Sequence, residues 1–237
     1  MKLPFSRRLV ALLLSMGALS PAAHANMTIY PMRVALQTDK PAEMRVYSKS
    51  AQPQFVKITL KEIVDPATAQ EQEIDVSSGA RAPLLLSPGK FALPGGGNRV
   101  VRVIPLLDVE KETAYRAYFE AVKGDEPSTL DAPVEGADAS VSVNLVWGTL
   151  ISLLPRDGVA AMALRGDALH NTGTLKLGLL GVAECTGTVC TPHELSRSLY
   201  PGQQLKLPFT PRAGQRIELR YRLTADGFKE HTHTLAP

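Results

Sequence analysis

The sequence has 237 residues, 26 basic and 23 acidic side chains, a formal charge of +3 and only two cysteines. Its basic excess resides in the first 25 residues, where Lys2, Arg7 and Arg8 precede an apolar run from Leu9 to Leu19 and Ala23-His24-Ala25 stands before Asn26; this is the pattern of a secretory signal with its cleavage site. The 212 residues beyond it carry 23 charges of each sign, a balance that excludes charge-driven binding to nucleic acid or to an anionic membrane. The leader's apolar run is shorter than the roughly 20 residues of a spanning helix, no later segment qualifies, and no membrane insertion is expected.

After the leader the chain is written in strands and turns. "MRVYSKS" (Met44 to Ser50), "FVKITLKEIV" (Phe55 to Val64), "NRVVRVIPL" (Asn98 to Leu106) and "AYRAYFEAV" (Ala114 to Val122) alternate apolar with polar residues and are rich in β-branched and aromatic side chains, which predicts strands. Pro, Gly and Asp clusters such as "DPAT" at Asp65 and "PGGGN" at Pro94 separate them. An acidic stretch rich in Pro, Gly and Ala, Lys123 to Ala139, follows. It is longer than an ordinary loop of a compact domain.

Next comes "ASVSVNLVWGTLISLLP", Ala139 to Pro155. Its first half alternates Val141, Val143 and Leu145 with Ser140, Ser142 and Asn144; its second half is apolar on both faces. A boundary is expected near "LLPRDGV", Leu153 to Val159, after which "AAMALRG", "TLKLGLLGVAEC", "QQLKLPFTP" and "QRIELRYRLTA" restart the alternating pattern. The prediction is an all-β chain of two sandwich domains, residues 26–154 and 155–237, following a signal peptide at 1–25.

Cys185 and Cys190 flank "TGTV", and in an exported chain such a pair is expected to close as a disulfide across a short hairpin rather than to bind metal. "HNTG", His170 to Gly173, reads as a turn in which Asn171 and Gly173 suit positive φ. His231 and His233 alternate on a terminal strand as exposed imidazoles, with no carboxylate or cysteine cluster to complete a metal site. "PGGGN" lacks the G-x-x-x-x-G-K-[ST] pattern of a phosphate loop, and no G-x-S-x-G supports a hydrolase. No cofactor, metal or catalytic residue is predicted.

Taken in order, "IYPMRVAL" (Ile29 to Leu36), "LLLSPGKFALPGGGNRVVRV" (Leu84 to Val103), "YRAYFEAV" (Tyr115 to Val122), the strand ending at Pro155 and "LHNTGTLKLGL" (Leu169 to Leu179) resemble the periplasmic chaperones of the chaperone/usher pilus pathway, in the alternate branch that serves colonisation-factor fimbriae. The resemblance spans nearly all of the chain beyond the leader. It implies two immunoglobulin-like β-sandwich domains in an L-shaped (boomerang) arrangement, a periplasmic location and no enzymatic activity. Pilus (fimbrial) subunits and an outer-membrane usher are the implied partners.

The implied work is to lend an incomplete subunit the β-strand it lacks. A strand with free backbone groups and alternating apolar residues satisfies both the unpaired edges and the open groove of such a subunit. Carried over by position, the donor side chains are Val141, Val143, Leu145 and, at the same parity, Trp147, while Ser142, Asn144 and Val146 turn to the chaperone's own core or its neighbours. The family holds the subunit's C-terminal carboxylate with two cations. Arg33 matches the first; the second position falls on Leu150, leaving Arg116 or Arg156 as substitutes. The alternative is a structural fimbrial subunit or another secreted β-sandwich protein. An exposed apolar donor strand also predicts capped self-association when the chaperone is empty.

Overall fold

The computed structural model describes residues 27–76, 83–122 and 145–237, and the fold is all-β. The signal peptide expected at 1–25 and the expected strand residues Val141, Ser142, Val143 and Asn144 lie outside these residues.

In the first unit, β1 (Met27–Tyr30), β3 (Ala42–Ser48), β8 (Asn98–Pro105) and β6 (Leu84–Ser87) form one sheet in the order β1-β3-β8-β6. The facing sheet runs β2 (Arg33–Leu36), β10 (Val146–Leu153), β9 (Thr113–Val122), β4 (Gln54–Val64) and β5 (Gln72–Asp75), with β7 (Lys90–Leu93) also paired to β4. Alternation decides which side chains enter the core: Met44, Val46 and Ser48 of β3 are buried while Glu43, Arg45 and Tyr47 are exposed, as the pleat requires. Met27, Val46, Val101 and Val103 from one sheet meet Val56, Phe119, Ile151 and Leu153 from the other in a single apolar cluster. The "PGGGN" segment is the β7–β8 turn, with Gly96 at φ 64°; a Cβ on Gly95 would stand 2.1 Å from the Ala51 carbonyl oxygen.

Beyond residue 161 the pattern repeats with separate sheets. β11 (Met162–Arg165), β12 (Ala168–Asn171) and β15 (Gln204–Lys206) form one; β14 (Val189–Leu199), β13 (Leu177–Thr186), β16 (Arg216–Leu223) and β17 (Glu230–Leu235) form the other, in that order. Leu169, Leu177, Leu179, Leu199, Ile217 and Leu219 fill the second core. Cys185 and Cys190 are opposed across the β13–β14 hairpin and joined as a disulfide, the bond expected from their spacing and compartment.

Two local expectations need correction. Neither Asn171 nor Gly173 has a positive φ. Asn171 ends β12 and is buried because its side chain bridges the fold: its amide donates to the carbonyls of Leu175 and Leu199, each at 2.8 Å, and its oxygen accepts the Gly173 N–H at 3.0 Å. Gly173 is a glycine for space, since a Cβ would lie 2.3 Å from the Val159 carbonyl oxygen. His231 is not an exposed imidazole; it stacks on Tyr221 with ring centroids 5.4 Å apart and contacts Asp226 Oδ2 at 2.5 Å, whereas His233 is exposed.

The two units meet through a small apolar contact and a few polar ones. Tyr200 packs on Ile63 and Ala114 with Leu150 beside them. Gln203 donates to the Pro66 carbonyl at 2.9 Å, and the Glu112 N–H donates to the Thr174 carbonyl at 2.8 Å.

Candidate functional site

β10 is the strand on which the site is built, and its burial changes along its length. From Thr149 the odd-numbered residues, Thr149, Ile151 and Leu153, are buried toward the core of the first unit. The even-numbered Leu150 and Ser152 are covered as well, Leu150 by the Tyr200 contact. This second covering explains why the second half of the segment is apolar on both faces: one face belongs to the sandwich and the other to the seam between the units.

The first half differs in its edges as well as its faces. β10 pairs with β9 along its whole length, Val146 opposite Glu120 through Leu153 opposite Thr113. On its other side β2 runs parallel and pairs only Leu150 through Leu153. Val146 through Thr149 therefore have no strand on that side among the described residues. An uncovered strand edge presents backbone donors and acceptors to any chain with a matching edge.

The parity of the row also becomes definite. Trp147 packs against the core of the first unit, so the odd row is the inward one, and Val146, on the opposite row, is 49% exposed. The expectation that Val146 faces inward is therefore corrected, while Ser142 and Asn144 lie outside the described residues. Leu145, two residues before Trp147 and just outside β10, is 44% exposed.

Arg33, Leu150 and Arg116 lie in one cross-strand row, Leu150 being the direct partner of both. Residues paired this way share a face, and two strand spacings put the two arginines' backbones roughly 10 Å apart. Their surroundings differ. The Arg116 guanidinium is engaged by Glu73 and by Glu71 at 3.8 Å, and Glu73 also accepts from the Tyr118 hydroxyl at 2.8 Å and pairs with Lys61 at 3.7 Å. Arg156 is bound to Asp108 at 2.9 Å. Arg33 is exposed and has no carboxylate partner among the described residues.

Arg33 instead opens onto a cleft of about 250 Å³ lined by Lys176, Arg197, Arg222, Ser196, Ser198 and Phe228 of the second unit, among other residues, with no carboxylate in its wall among the described residues. Lys176 enters from the turn that leads into β13 and is almost completely buried. Burial pushes its ammonium below the ordinary lysine value, nearby Glu112 pulls it up, and the charge of Arg33 pushes it down again. The Glu112 side chain is fully buried; its Oε2 accepts the Lys176 backbone N–H at 2.9 Å, and its Oε1 lies 3.7 Å from the ammonium. Tyr200 completes the group, its ring 5.6 Å from the ammonium and its phenol pushed up to about 12, chiefly by burial.

Sequence reasoning missed Lys176 and Glu112. Lys176 is one cation in an apolar segment, and Glu112 is one of several acidic residues between strands. Only the meeting of the two units makes them partners.

No protein-family model matches the chain. A curated Escherichia coli protein, named as one of the CS1 fimbrial subunits, is 31% identical over 201 residues, which cover 81% of this chain and 84% of that protein. Among solved structures, the class 5 fimbriae chaperone CfaA superposes with a TM-score of 0.74 at 25% identity, over 90% of this chain and all of CfaA. A chain from a chaperone–tip adhesin complex of CFA/I fimbriae biogenesis follows, with a TM-score of 0.71, 25% identity and the same coverage. The word "subunit" in the E. coli name does not decide the class, because the likeness to the chaperones runs over both sandwich units and leaves no part of the solved chaperone unmatched. The chain belongs to the fimbrial chaperones of the chaperone/usher pathway, in the branch of the colonisation-factor fimbriae.

Proposed function

We propose that this chaperone, working in the periplasm after removal of its leader, completes an unfinished fimbrial subunit with the first half of the Ala139 to Pro155 segment and passes it to an outer-membrane usher. In this reading residues 26–154 form the subunit-holding domain and residues 155–237 the second domain. The function is binding and transfer, without catalysis. One observation carries the reading: β10 is paired on both sides only from Leu150 onward, and Leu145, of the same parity as the core-packed Trp147, stands half-exposed just before the strand. A partner strand at that edge gains main-chain hydrogen bonds, and its open groove receives the side chains of the same row.

Val141, Val143 and Leu145 are the proposed donors. Trp147 marks the handover, because its ring already packs on the chaperone's own core. Arg33 is the proposed ligand of the subunit's C-terminal carboxylate, since an unpaired guanidinium in a cleft free of acidic groups is suited to charge-assisted hydrogen bonds.

The test is periplasmic co-expression with the subunit from a neighbouring fimbrial locus, followed by purification through a tag on the chaperone. A one-to-one complex is expected, lost with Val143→Asp and reduced with Arg33→Ala while the free chaperone stays folded. Full recovery of complex with Val143→Asp overturns the donor assignment.

A further inference from the structure

A glycine stands in the open part of β10. Leu150 donates its backbone N–H to the Met32 carbonyl at 3.0 Å, and Leu154 donates to that of Leu36 at 2.8 Å, so the even-numbered residues turn their backbone groups toward β2. Successive residues of a strand turn these groups to opposite sides. Gly148 and Val146 therefore present theirs where β2 no longer runs. Gly148 has no positive φ, so the backbone conformation does not call for glycine. What matters is the side chain it lacks on the outer face. A Cβ there would stand 3.2 Å from Cδ and 3.5 Å from Cγ of Arg116, and 3.3 Å from Cε1 of Tyr118.

Tyr118 is the direct partner of Gly148 on β9, and its ring is fixed from the far side. The hydroxyl donates to Glu73, whose Oε1 and Oε2 lie at 2.9 and 2.8 Å, and the Lys61 ammonium is 5.4 Å from the ring centroid. Glu73 and Glu71 also engage the Arg116 guanidinium. The charged ends are thus drawn toward β5, and the edge of the ring and the arginine methylenes are what lies over Gly148. An aromatic ring laid across a neighbouring glycine is a favourable cross-strand pair. Both side chains remain half-exposed. A strand added at the open edge would lie about 4.8 Å from β10. Its outward side chain beside Gly148 would meet no Cβ, and a long apolar or aromatic one would reach the Tyr118 ring.

We propose that Tyr118, laid over Gly148, is a specificity-determining residue: it receives a long apolar or aromatic side chain from the subunit's edge strand, on the face opposite the donor groove. The inference rests on the reading that the free edge of β10 takes a strand of the subunit. It adds a second test of the partner. The donor side chains fill the groove from one face, and Tyr118 senses the subunit's strand from the other. Glu73 is a positioning residue for the ring, and Gly148 keeps the ring's place clear.

The experiment uses the whole mature chaperone in complex with the subunit of a neighbouring fimbrial locus. The lifetime of the complex is read by exchange against labelled wild-type chaperone, with the thermal midpoint of each free variant as the folding control. Tyr118→Val keeps a residue suited to strands and should shorten the lifetime about fivefold, the size of one aromatic contact. Gly148→Ala displaces the ring and should shorten it about threefold. The double variant should match Tyr118→Val within about twofold, because the added methyl then has no ring to displace. Gly148→Ala also tests the proposal alone if Tyr118→Val does not fold. Hydrogen exchange at the Val146 and Gly148 amides, compared between free and complexed wild type, reports separately whether the edge is occupied.

Protected amides with an unchanged lifetime for Tyr118→Val, or for Gly148→Ala where that variant stands alone, overturn the role of Tyr118 and leave the edge reading in place. Losses that simply multiply in the double variant overturn it as well, since the glycine then serves the approach of the backbone and not the ring. Amides left unprotected in the complex overturn the edge reading and this inference with it.

Discussion

The alternation of β10 can be tested one residue at a time where the strand leaves its own core. Leu145 and Val146 are adjacent, similar in exposure at 44% and 49%, and opposite in parity. Full burial of a leucine contributes about 1.5 to 3 kcal/mol, so covering the part of Leu145 still exposed should contribute about 1 kcal/mol. Leu145→Ala should then weaken the chaperone–subunit complex by about fivefold. Leu145→Asp places a carboxylate in an apolar groove, at a cost of several kcal/mol, and should shorten the lifetime of the complex by more than a hundredfold. Val146→Asp, pointing away from that groove, should change the lifetime by no more than about threefold, in line with a surface substitution. The assay is exchange of purified complex against excess fluorescent wild-type chaperone, with the thermal midpoint of each free variant as the folding control. If Val146→Asp is the damaging substitution and Leu145→Asp is tolerated, the inward row does not continue into the donor segment and the argument fails.

Three further outcomes follow from the geometry. Lys176→Met alone leaves Glu112 buried without its cation and should destabilise the free chaperone by about 3 to 5 kcal/mol, whereas Lys176→Met combined with Glu112→Gln should recover most of that loss in urea unfolding. Asn171→Ala removes three hydrogen bonds, two of them donated to the carbonyls of Leu175 and Leu199, while the Gly173 N–H keeps its bond to the Ala161 carbonyl at 3.1 Å; a loss of about 2 to 4 kcal/mol is expected, read from the unfolding of the second unit. Asp226 tends upward through partial burial, but its bonds to His231 and to the Lys229 N–H hold its carboxyl below the ordinary value of 3.8. A depressed carboxylate contributes stability above pH 3.8 that is lost as the pH falls through the folded value. Asp226→Asn should therefore reduce the difference between the thermal midpoints at neutral pH and at pH about 3.

Much of the architecture was legible because a β-sandwich writes its burial into the chain with a period of two. Phe55 to Val64, Asn98 to Leu106 and Ala114 to Val122 correspond within a residue to β4, β8 and β9, since each is long enough to show the alternation and is bounded by turn residues. The Cys185–Cys190 bond was legible for a similar reason: five residues of separation around a glycine leave the hairpin as the simplest geometry. The failures were local. "HNTG" has turn composition, but composition does not distinguish an asparagine that needs a left-handed backbone from one whose side chain must reach two carbonyls inside the fold. The direction of Val146 was misassigned because the polar Ser142 and Asn144 obscure which row of a strand is inward until its neighbours are in place.

The sequence by itself determined the all-β class, the family and the segment whose alternation suits a lent strand, because each is carried by order and periodicity along the chain. The tertiary structure alone decided which side of β10 is open, which row of β10 packs on the core, and which cations share a cleft. Those properties depend on residues distant in sequence: β2 pairs with only the second half of β10, Glu73 and Glu71 engage Arg116, and Lys176 comes beside Arg33 only when the second unit packs on the first. Charge and exposure are sums over spatial neighbours, and a single lysine in "TLKLGL" has no neighbours of that kind until the chain has folded.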